Sequence, residues 1–448
     1  MRELDQVDLL VVGGGMAGLA AAARATQAGA SVLLVEKSPA VGGSAQYASF
    51  LWTAPTVAVM DQVNPTANRE LAAAVVRDYE PAIAWVADLG VDLKEPVELL
   101  GFGVGRQTDV VGLLAACERT VRRGNAPGCL TSTEAVELIV DESGVRGAVV
   151  ETPEGRASIR AGAVVLASGG FGGDADLRER LVHPAARDIT LRANPFSRGD
   201  GMRLATSAGA ATELPDAGFY GHLIPSRISY DAPHEFTLLT FYHSEHGVLL
   251  NLDGDRFCDE SEGDHLSTLA VLDQPEARAL LVTDQRVHEE WMLQPYVKGI
   301  EAPDKFALAY RRGARCATAD DLAELRHLPD DWGYSGDRAY ATLTAFNEQA
   351  RAGAHQPSRR RDAATIDTPP FYVIEVVPAL TFTFEGIRID PRGAVLDDHG
   401  APIPGLFAAG ADAGGTFHRA YAGGLVTALV QGLRAAETVT AGSAAAVR

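Results

Sequence analysis

A short apolar run followed at once by glycines constrains this chain more than any other feature of its sequence. Residues 8–12 (DLLVV) precede residues 13–18 (GGGMAG), which fit the pattern G-x-G-x-x-G. An Ala-rich stretch, 17–28, comes next, and a second apolar run, 31–35, ends at Glu36. Strand, tight turn, helix and strand in this order predict the βαβ unit of a parallel sheet.

The glycine spacing also predicts a ligand. In a dinucleotide-binding turn Gly13 makes the tight turn, Gly15 lets the pyrophosphate approach the backbone, and Gly18 packs the helix on the strand. The helix N-terminus stabilises anionic oxygens, and Glu36 lies at the spacing of a carboxylate that accepts ribose hydroxyls. We therefore predict dinucleotide binding; the alternative is a Gly-rich turn that only packs.

The same motif serves NAD and FAD, so other segments must distinguish them. Residues 42–45 (GGSA) offer amides and a hydroxyl for a second phosphate and the ribityl chain, and no second G-x-G-x-x-G exists for a nicotinamide domain. Residues 167–171 (ASGGF) and 405–412 (GLFAAGAD) end further apolar strands, as expected around an extended FAD. Beyond the motif, the predicted cofactor-binding residues are Lys37, Gly43, Ser44, Ala45, Gly169, Gly170, Gly410, Asp412, Gly424 and Leu425.

The distribution of strands predicts two domains. Glycine-terminated apolar strands occur near both ends of the chain, whereas the middle holds most of the aromatic and His residues and a helical stretch, 339–351. We predict an α/β fold in which a Rossmann-type FAD-binding domain, residues 1–215 and 366–448, is interrupted by an inserted α+β capping domain, residues 216–365. The run 359–361 (RRR) is predicted to be a solvated hinge.

Composition excludes several classes of protein. A net charge of −20 argues against binding to a nucleic-acid backbone. The four cysteines have no C-x-x-C spacing, which predicts no metal site, no disulfide framework and a reducing, cytoplasmic location. The first apolar run is too short for a signal peptide or a membrane span, so we expect no membrane partner.

Together the four glycine-rich segments resemble the FAD-dependent fumarate reductase and succinate dehydrogenase flavoprotein superfamily, with its 3-ketosteroid dehydrogenase and tricarballylate dehydrogenase-like members. The resemblance covers most of the chain and implies a substrate held between the capping domain and the flavin. It implies that Asp412 binds FAD. Because Ala45 stands where membrane-bound members carry a flavin-linking His, it also implies non-covalent FAD.

The segment 247–260 (GVLLNLDGDRFCDE) is predicted to be a hairpin with an Asp-Gly turn. Taken alone, it makes Arg256 a surface charge. The resemblance implies instead that its G-x-R-F sequence supplies the active-site Arg, the proton donor to the substrate carbon. Glu260 either orients that guanidinium or is exposed to solvent.

Two positions depart from the fumarate reductase pattern. Residues 381–386 (TFTFEG) stand where fumarate reductases have HHTMGG, so the carboxylate-binding His is absent. Tyr421 stands where they have a second substrate Arg, and ketosteroid and tricarballylate-type members also have Tyr there. The resemblance therefore implies a substrate-contacting, catalytic Tyr421, whose phenol is a more accessible base than a guanidinium. His418 and Arg419 in the same loop either replace the missing carboxylate-binding His and Arg or face solvent.

These features predict an FAD-dependent oxidoreductase acting on CH-CH bonds next to a carbonyl or carboxylate, with hydride exchanged at flavin N5. Desaturation and saturation are both open. The alternatives are an FAD oxidase acting on a C-N or C-O bond and a non-catalytic flavin-binding scaffold. The expected partners are a small-molecule substrate and a separate electron acceptor or donor, because the sequence has no haem, iron-sulfur or nicotinamide module.

Overall fold

The computed structural model describes residues 2–124, 128–213, 215–230, 233–297 and 302–446. The chain divides into two compact units. Unit 1 consists of Met1–Val182, Ala193–Phe219 and Phe382–Arg448, and unit 2 of His183–Arg192 and Tyr220–Thr381.

Unit 1 is built on a mostly parallel sheet. Its parallel strands, in spatial order, are Pro402–Ala408, Gly155–Leu166, Arg2–Val12, Val32–Val35 and Gly128–Leu130. An antiparallel strand, Ala394–Leu396, borders the first of these, and the hairpin Glu134–Asp141 and Gly144–Thr152 pairs with Gly155–Leu166. Smaller antiparallel sheets consist of Phe50–Thr53, Leu93–Leu99 and Gly103–Thr108, and of Thr212–Glu213 with Gly386–Ile387.

Apolar side chains cover both faces of this sheet, as a parallel sheet requires. Leu9, Val11 and Leu34 pack with the Ala-rich helix Met16–Gln27, whereas Leu10 and Leu33 belong to the opposite cluster. Small residues bring the helices of the first face close together: a Cβ at Gly432 would lie 2.3 Å from the carbonyl oxygen of Ala17.

The helices of unit 1 connect and cover these strands. They are Met16–Gln27, Val57–Val63, Arg69–Arg77, Tyr79–Asp88, Val110–Arg122, Ala175–Leu181, Asp200–Ser207 and Gly424–Ala446, with short 3-10 turns at Gly43–Tyr47 and Gly410–Asp412. Among the described residues, no helix is long and apolar enough to cross a membrane.

Unit 2 is built around the long strand Phe371–Thr383. Ala279–Thr283 and Cys316–Ala319 pair with it antiparallel, and Thr190–Leu191 pairs with it in parallel. Val248–Leu250 extends the sheet beyond Ala279–Thr283, and Phe219–Pro225 also pairs with the long strand. The surrounding helices are Pro233–Leu239, Asp264–Leu272, Gln285–Val287, Lys305–Arg311 and Gly336–Ala352, with a π-helical turn at His288–Met292. Short 3-10 turns lie at Pro184–Arg187, Tyr242–His246, Glu260–Glu262, Pro275–Ala277, Leu322–His327 and Asp330–Trp332.

The bounds of unit 2 differ from the predicted insertion, residues 216–365. The difference arises from strand pairing, because residues 371–381 of the long strand and their partner Thr190–Leu191 belong to unit 2. Sequence reasoning placed both segments in the cofactor domain, since their pairing partners are distant in the chain.

Two local predictions in unit 2 hold only in part. The segment 247–260 reverses at the predicted Asp-Gly turn, and Arg256 forms an antiparallel bridge to Leu250, but the return segment is not a strand, and Val248–Leu250 pairs with Ala279–Thr283 instead. The arginine run is not uniformly solvated either. Arg360 is exposed, but the Arg359 side chain is 1% exposed and pairs with Glu260. A run of arginines is expected to be solvated unless the fold places a buried carboxylate beside one of them, as Glu260 lies beside Arg359.

Candidate active site

The candidate cofactor site lies at the carboxyl ends of the parallel strands in unit 1. Gly13 follows Arg2–Val12 directly, Glu36 follows Val32–Val35, and Gly410 lies just beyond Pro402–Ala408. Ligands of open parallel sheets bind outside the carboxyl ends of the strands. The fold therefore brings together segments that the sequence singled out from both ends of the chain.

The three motif glycines have the geometry that a dinucleotide turn needs. Gly13 has φ +106°, and a Cβ there would lie 2.2 Å from the carbonyl oxygen of Ala167. A Cβ at Gly18 would lie 1.9 Å from the carbonyl oxygen of Gly13, so the helix approaches the turn closely. At Gly15 a Cβ would meet no atom within 4 Å. The backbone is thus crowded behind the turn and open at the first turn of the helix, where a pyrophosphate approaches.

Glu36 is buried, and its carboxylate stabilises the glycine turn through two hydrogen bonds. One oxygen accepts a hydrogen bond from the backbone N–H of Gly14 at 2.7 Å, and the other accepts one from Ser38 at 2.7 Å. Its neighbour Lys37 forms an ion pair with Asp200. The predicted ribose acceptor therefore lies beside the glycine turn, and Lys37 is held by a carboxylate of unit 1.

The second glycine-rich segment packs beside the first. Gly43 has φ +52°, and a Cβ there would lie 3.3 Å from the Cα of Gly15. The Ser44 hydroxyl accepts a hydrogen bond from the backbone N–H of Asn194 at 3.0 Å. Ala45 packs against the apolar core of the sheet. This arrangement brings residues 42–45 to the open side of the turn, as expected for a segment that contacts an extended cofactor.

Asp412 is 1% exposed and organises the end of a neighbouring strand. Its carboxylate accepts hydrogen bonds from the backbone N–H of Gly170 at 2.8 Å and from the Ser168 hydroxyl at 2.9 Å. Burial raises the pKa of Asp412. Gly169 and Gly170 have φ +98° and +73°, so this turn favours glycine. Sequence reasoning missed Ser168, although its position directly after an apolar strand was a usable signal.

The last helix, Gly424–Ala446, begins beside an aromatic cluster. The Tyr421 ring lies 5.3 Å from that of Trp52, 6.0 Å from Phe382 and 5.5 Å from Phe417, measured between centroids. A Cβ at Gly424 would lie 2.6 Å from the Cζ of Phe382. The predicted substrate phenol is therefore positioned by apolar rings at a helix N-terminus, where the helix dipole favours negative charge.

Other predicted residues near this helix have structural partners. Leu425 packs against the core of the sheet, and the backbone N–H of Gly410 donates to Gln431 at 2.9 Å. Nearby, Thr66 holds the ring of His418 through a hydrogen bond of 2.5 Å, whereas Arg419 is exposed. Burial, with the neighbouring Asp216, raises the pKa of Glu385 to about 7.

Arg256 and Glu260 form a buried ion pair within unit 2. Their side chains are 3% and 0% exposed, and the Arg256 Nη2 lies 2.7 Å from a Glu260 carboxylate oxygen. The Arg256 Nε lies 3.0 Å from both oxygens, and its Nη1 donates to the carbonyl of Pro357. Arg359 also donates to Glu260, at 3.1 Å, and Phe346 packs under both guanidinium groups. Glu260 therefore orients Arg256, and the catalytic role of Arg256 stays a prediction.

Fold and site together define a flavoprotein with a Rossmann-type dinucleotide domain. The chain belongs to the FAD binding domain family, whose model matches residues 8–426. This match confirms the predicted FAD and the α/β fold, and the glycine cradle of unit 1 fits the cofactor's pyrophosphate.

Known proteins are similar to this chain over nearly its whole length. The fumarate reductase (cytochrome) of Shewanella frigidimarina is 26% identical over 92% of this chain and 72% of that protein. The 4-oxocyclohexanecarboxylate 2-dehydrogenase of Sinomonas cyclohexanicum is 28% identical over 90% of this chain and 87% of that enzyme. In fold, the 3-ketosteroid delta1-dehydrogenase of Sterolibacterium denitrificans superposes with a TM-score of 0.78 at 20% identity, over 98% of this chain and 100% of that one. The predicted superfamily is thereby confirmed.

Proposed function

We propose that this protein is an FAD-dependent oxidoreductase that introduces or removes a C=C bond next to a carbonyl or carboxylate. The observation that carries the proposal is the match, over nine-tenths of the chain or more, to a fumarate reductase and a cyclohexane-ring dehydrogenase. Both names specify redox chemistry at a C-C bond. FAD, when bound, supplies the hydride acceptor or donor.

The aromatic cluster around Tyr421 supports a substrate with an apolar body. Trp52 is 7% exposed and Phe417 is 3% exposed, so these rings form a packed support for the phenol rather than a charged clamp. Rings favour flat, apolar substrates, and the phenol provides a hydrogen bond to one oxygen. We therefore propose a cyclic or aryl carbonyl compound in preference to a small dicarboxylate.

Tyr421→Phe is expected to preserve FAD binding and lower turnover at least tenfold, about 1.4 kcal/mol in the barrier. The substitution keeps the ring that packs on Trp52 and removes only the hydroxyl. Tyr79→Phe is the matched control, since Tyr79 is buried in the same unit and its hydroxyl donates to Leu51 at 3.1 Å. Equal turnover in both variants would make Tyr421 a packing residue.

Acid precipitation is expected to release intact FAD into the supernatant, because Ala45 has no nucleophilic side chain with which to link the flavin. The measurement is the absorbance of supernatant and pellet after precipitation, with FAD identified by mass. A pellet that stays yellow after washing in denaturant would show a covalent link elsewhere in the chain.

The decisive experiment is an anaerobic challenge of the flavin with ketosteroids, enoates and tricarboxylates. The oxidised enzyme is mixed with saturated ketones, and the dithionite-reduced enzyme with enones and enoates, while flavin absorbance is followed. Products with a new or a lost C=C bond support the proposal. An imine or carbonyl product formed with peroxide supports a C-N or C-O oxidase, and a flavin unaffected by every compound supports a scaffold.

We propose further that a separate protein or small carrier recycles the flavin and that the protein works in the cytoplasm. The location is supported by four unpaired cysteines, two of them buried. Recovery of the protein from the soluble cytoplasmic fraction of its own cells, with flavin reduced by a carrier purified from that fraction, tests both proposals.

A further inference from the structure

A histidine of unit 2 lies between two carboxylates and an indole ring. The His246 side chain is 10% exposed, and its Nδ1 lies 2.5 Å from the Oδ2 of Asp362. Its Nε2 lies 3.5 Å from the Oε1 of Glu245. The Trp291 ring stacks on the imidazole, with centroids 3.7 Å apart and an interplanar angle of 10°. Both ring nitrogens and one face of the ring therefore have defined neighbours.

This geometry suits an imidazolium. A neutral imidazole has one N–H donor, so one of its nitrogens would direct a lone pair at a carboxylate. The charged ring donates from both nitrogens and is also attracted to the face of the Trp291 ring. Burial by itself would lower the pKa of His246, but the contacts with Asp362 and Glu245 raise it above the ordinary value of 6.5.

The contacts of this imidazole join separate segments of unit 2. His246 ends a 3-10 turn, Trp291 lies in the π-helical turn His288–Met292, and Asp362 lies in the connection 353–370. π-Helical turns are rare and frequently mark functional positions. The ring therefore links the π-helical turn to a connection that follows it by some seventy residues in the chain.

The charges around the ring depend on its proton. Arg286, from the helix before the π-helical turn, lies 3.6 Å from Asp362 and 3.6 Å from Glu290. It supplies one positive charge to these two carboxylates, and His246 supplies a second to Asp362 and Glu245. Among the described residues Glu245 forms no other ion pair. Loss of the proton therefore leaves the Glu245 carboxylate without a cation in contact.

Neighbouring ionisable groups have other partners or stay neutral. Arg359 directs its charge at the buried carboxylate of Glu260 and donates to the backbone carbonyls of Glu245 and Asp362. Burial lowers the pKa of His243, on the same 3-10 turn, to about 4. A single imidazole of this turn therefore changes its charge near neutral pH.

We propose that His246 is a pH-sensitive latch within unit 2. As an imidazolium it holds Asp362 and Trp291 together, and as a neutral ring it releases the connection 353–370 from the π-helical turn. Arg359 lies in that connection, so the closed latch also holds the guanidinium that pairs with the buried carboxylate of unit 2.

The latch is closed on the acidic side of its transition. A histidine whose pKa is raised in the folded state stabilises that state fully below its unfolded pKa and ceases to do so as the pH rises through the folded one. The contribution of His246 is therefore complete below pH 6.5 and is lost above it. Burial opposes the ionisation of Asp362, but the contact with His246 favours it and the pKa of Asp362 is lowered, so this carboxylate stays charged throughout.

The first test follows Trp291 by ¹⁹F NMR in protein labelled with 5-fluorotryptophan. The chain has four tryptophans, and the signal missing from Trp291→Phe identifies that of Trp291. In the parent this signal is expected to titrate with a midpoint above pH 6.5. Asp362→Asn should lower the midpoint, because a carboxylate that favours the imidazolium is removed. In His246→Gln, whose neutral amide can still donate to Asp362, the signal should not titrate.

The matched control is His327→Gln, which removes an exposed imidazole of the same unit and should leave the titration of Trp291 unchanged. A Trp291 signal that titrates alike in His246→Gln and the parent would overturn the latch, as would a parental signal that does not move. If His246→Gln did not fold, the parental curve and its shift in Asp362→Asn would still decide.

The second test compares the melting temperatures of the parent and His246→Gln at a series of pH values from about 6 to about 9. At the acidic end the variant is expected to melt about 2–4 °C lower, the usual size for loss of one such contact in a unit of this length. The gap should close as the pH rises, because the parent then loses the same contacts, and His327→Gln should follow the parent throughout. A gap that is independent of pH, or that widens as the pH rises, would make His246 an ordinary structural residue and refute the latch.

Discussion

Arg256→Ala is expected to lower the free energy of unfolding by about 3–5 kcal/mol, the usual effect of removing one partner of a buried ion pair. The Glu260 carboxylate is 0% exposed and receives the Nε and Nη2 donors of Arg256. Without them, Arg359 and the backbone N–H of Leu249 remain to compensate its charge. Urea denaturation followed by circular dichroism measures the loss.

The control for this prediction is Arg338→Ala. Arg338 pairs with Asp255, one residue before Arg256, but both partners are exposed, at 61% and 45%. An exposed pair contributes at most about 1 kcal/mol, so this variant should unfold close to the parent. If the two alanine variants proved equally stable, the buried pair would not hold unit 2 together.

A second substitution at Arg256 distinguishes a structural role of this residue from a catalytic one. Arg256→Lys keeps the charge but loses the planar fork that matches Glu260. If Arg256 is the proton donor that the resemblance implied, turnover of the folded lysine variant should fall several hundredfold, on the order of 3–4 kcal/mol. If Arg256 has only the structural role, the folded lysine variant should turn over near the parental rate. Stopped-flow measurements well below the unfolding temperature distinguish these outcomes.

Gly18→Ala is expected to destabilise unit 1 by at least about 3 kcal/mol. The added Cβ would lie 1.9 Å from the carbonyl oxygen of Gly13, and a backbone atom in a tight turn cannot move aside without disturbing the sheet. We expect little soluble protein, with a lowered melting temperature and flavin missing from what is recovered.

Gly15→Ala, three residues away, provides the contrast. Its Cβ meets no protein atom within 4 Å, and the backbone φ of −80° suits any residue. This variant should fold like the parent yet bind FAD at least about tenfold more weakly, because the methyl group enters the space left for the pyrophosphate. Flavin titration of the apoprotein measures the affinity. Parent-like affinity would mean that the pyrophosphate does not approach Gly15.

The sequence predicted the cofactor half of the molecule well because its signals are local. A turn that crowds Gly13 and Gly18 against backbone atoms admits glycine alone, so their spacing reports the turn directly. The Tyr421 ring was harder to place. Its neighbour Trp52 lies hundreds of residues away in the chain, and Phe382 is separated from it by three strands, so no short pattern joins them.

By itself the sequence determined the βαβ unit, the glycine-rich strand ends and the superfamily, since each is carried by short segments of consecutive residues. Tertiary structure alone decided the partners of the buried charges. Arg359 reaches Glu260 across 99 residues, and His222 reaches Asp264 across 42. A buried charge is tolerated where the fold places a counter-charge beside it, and tertiary packing brings such partners together over separations that no sequence spacing reveals.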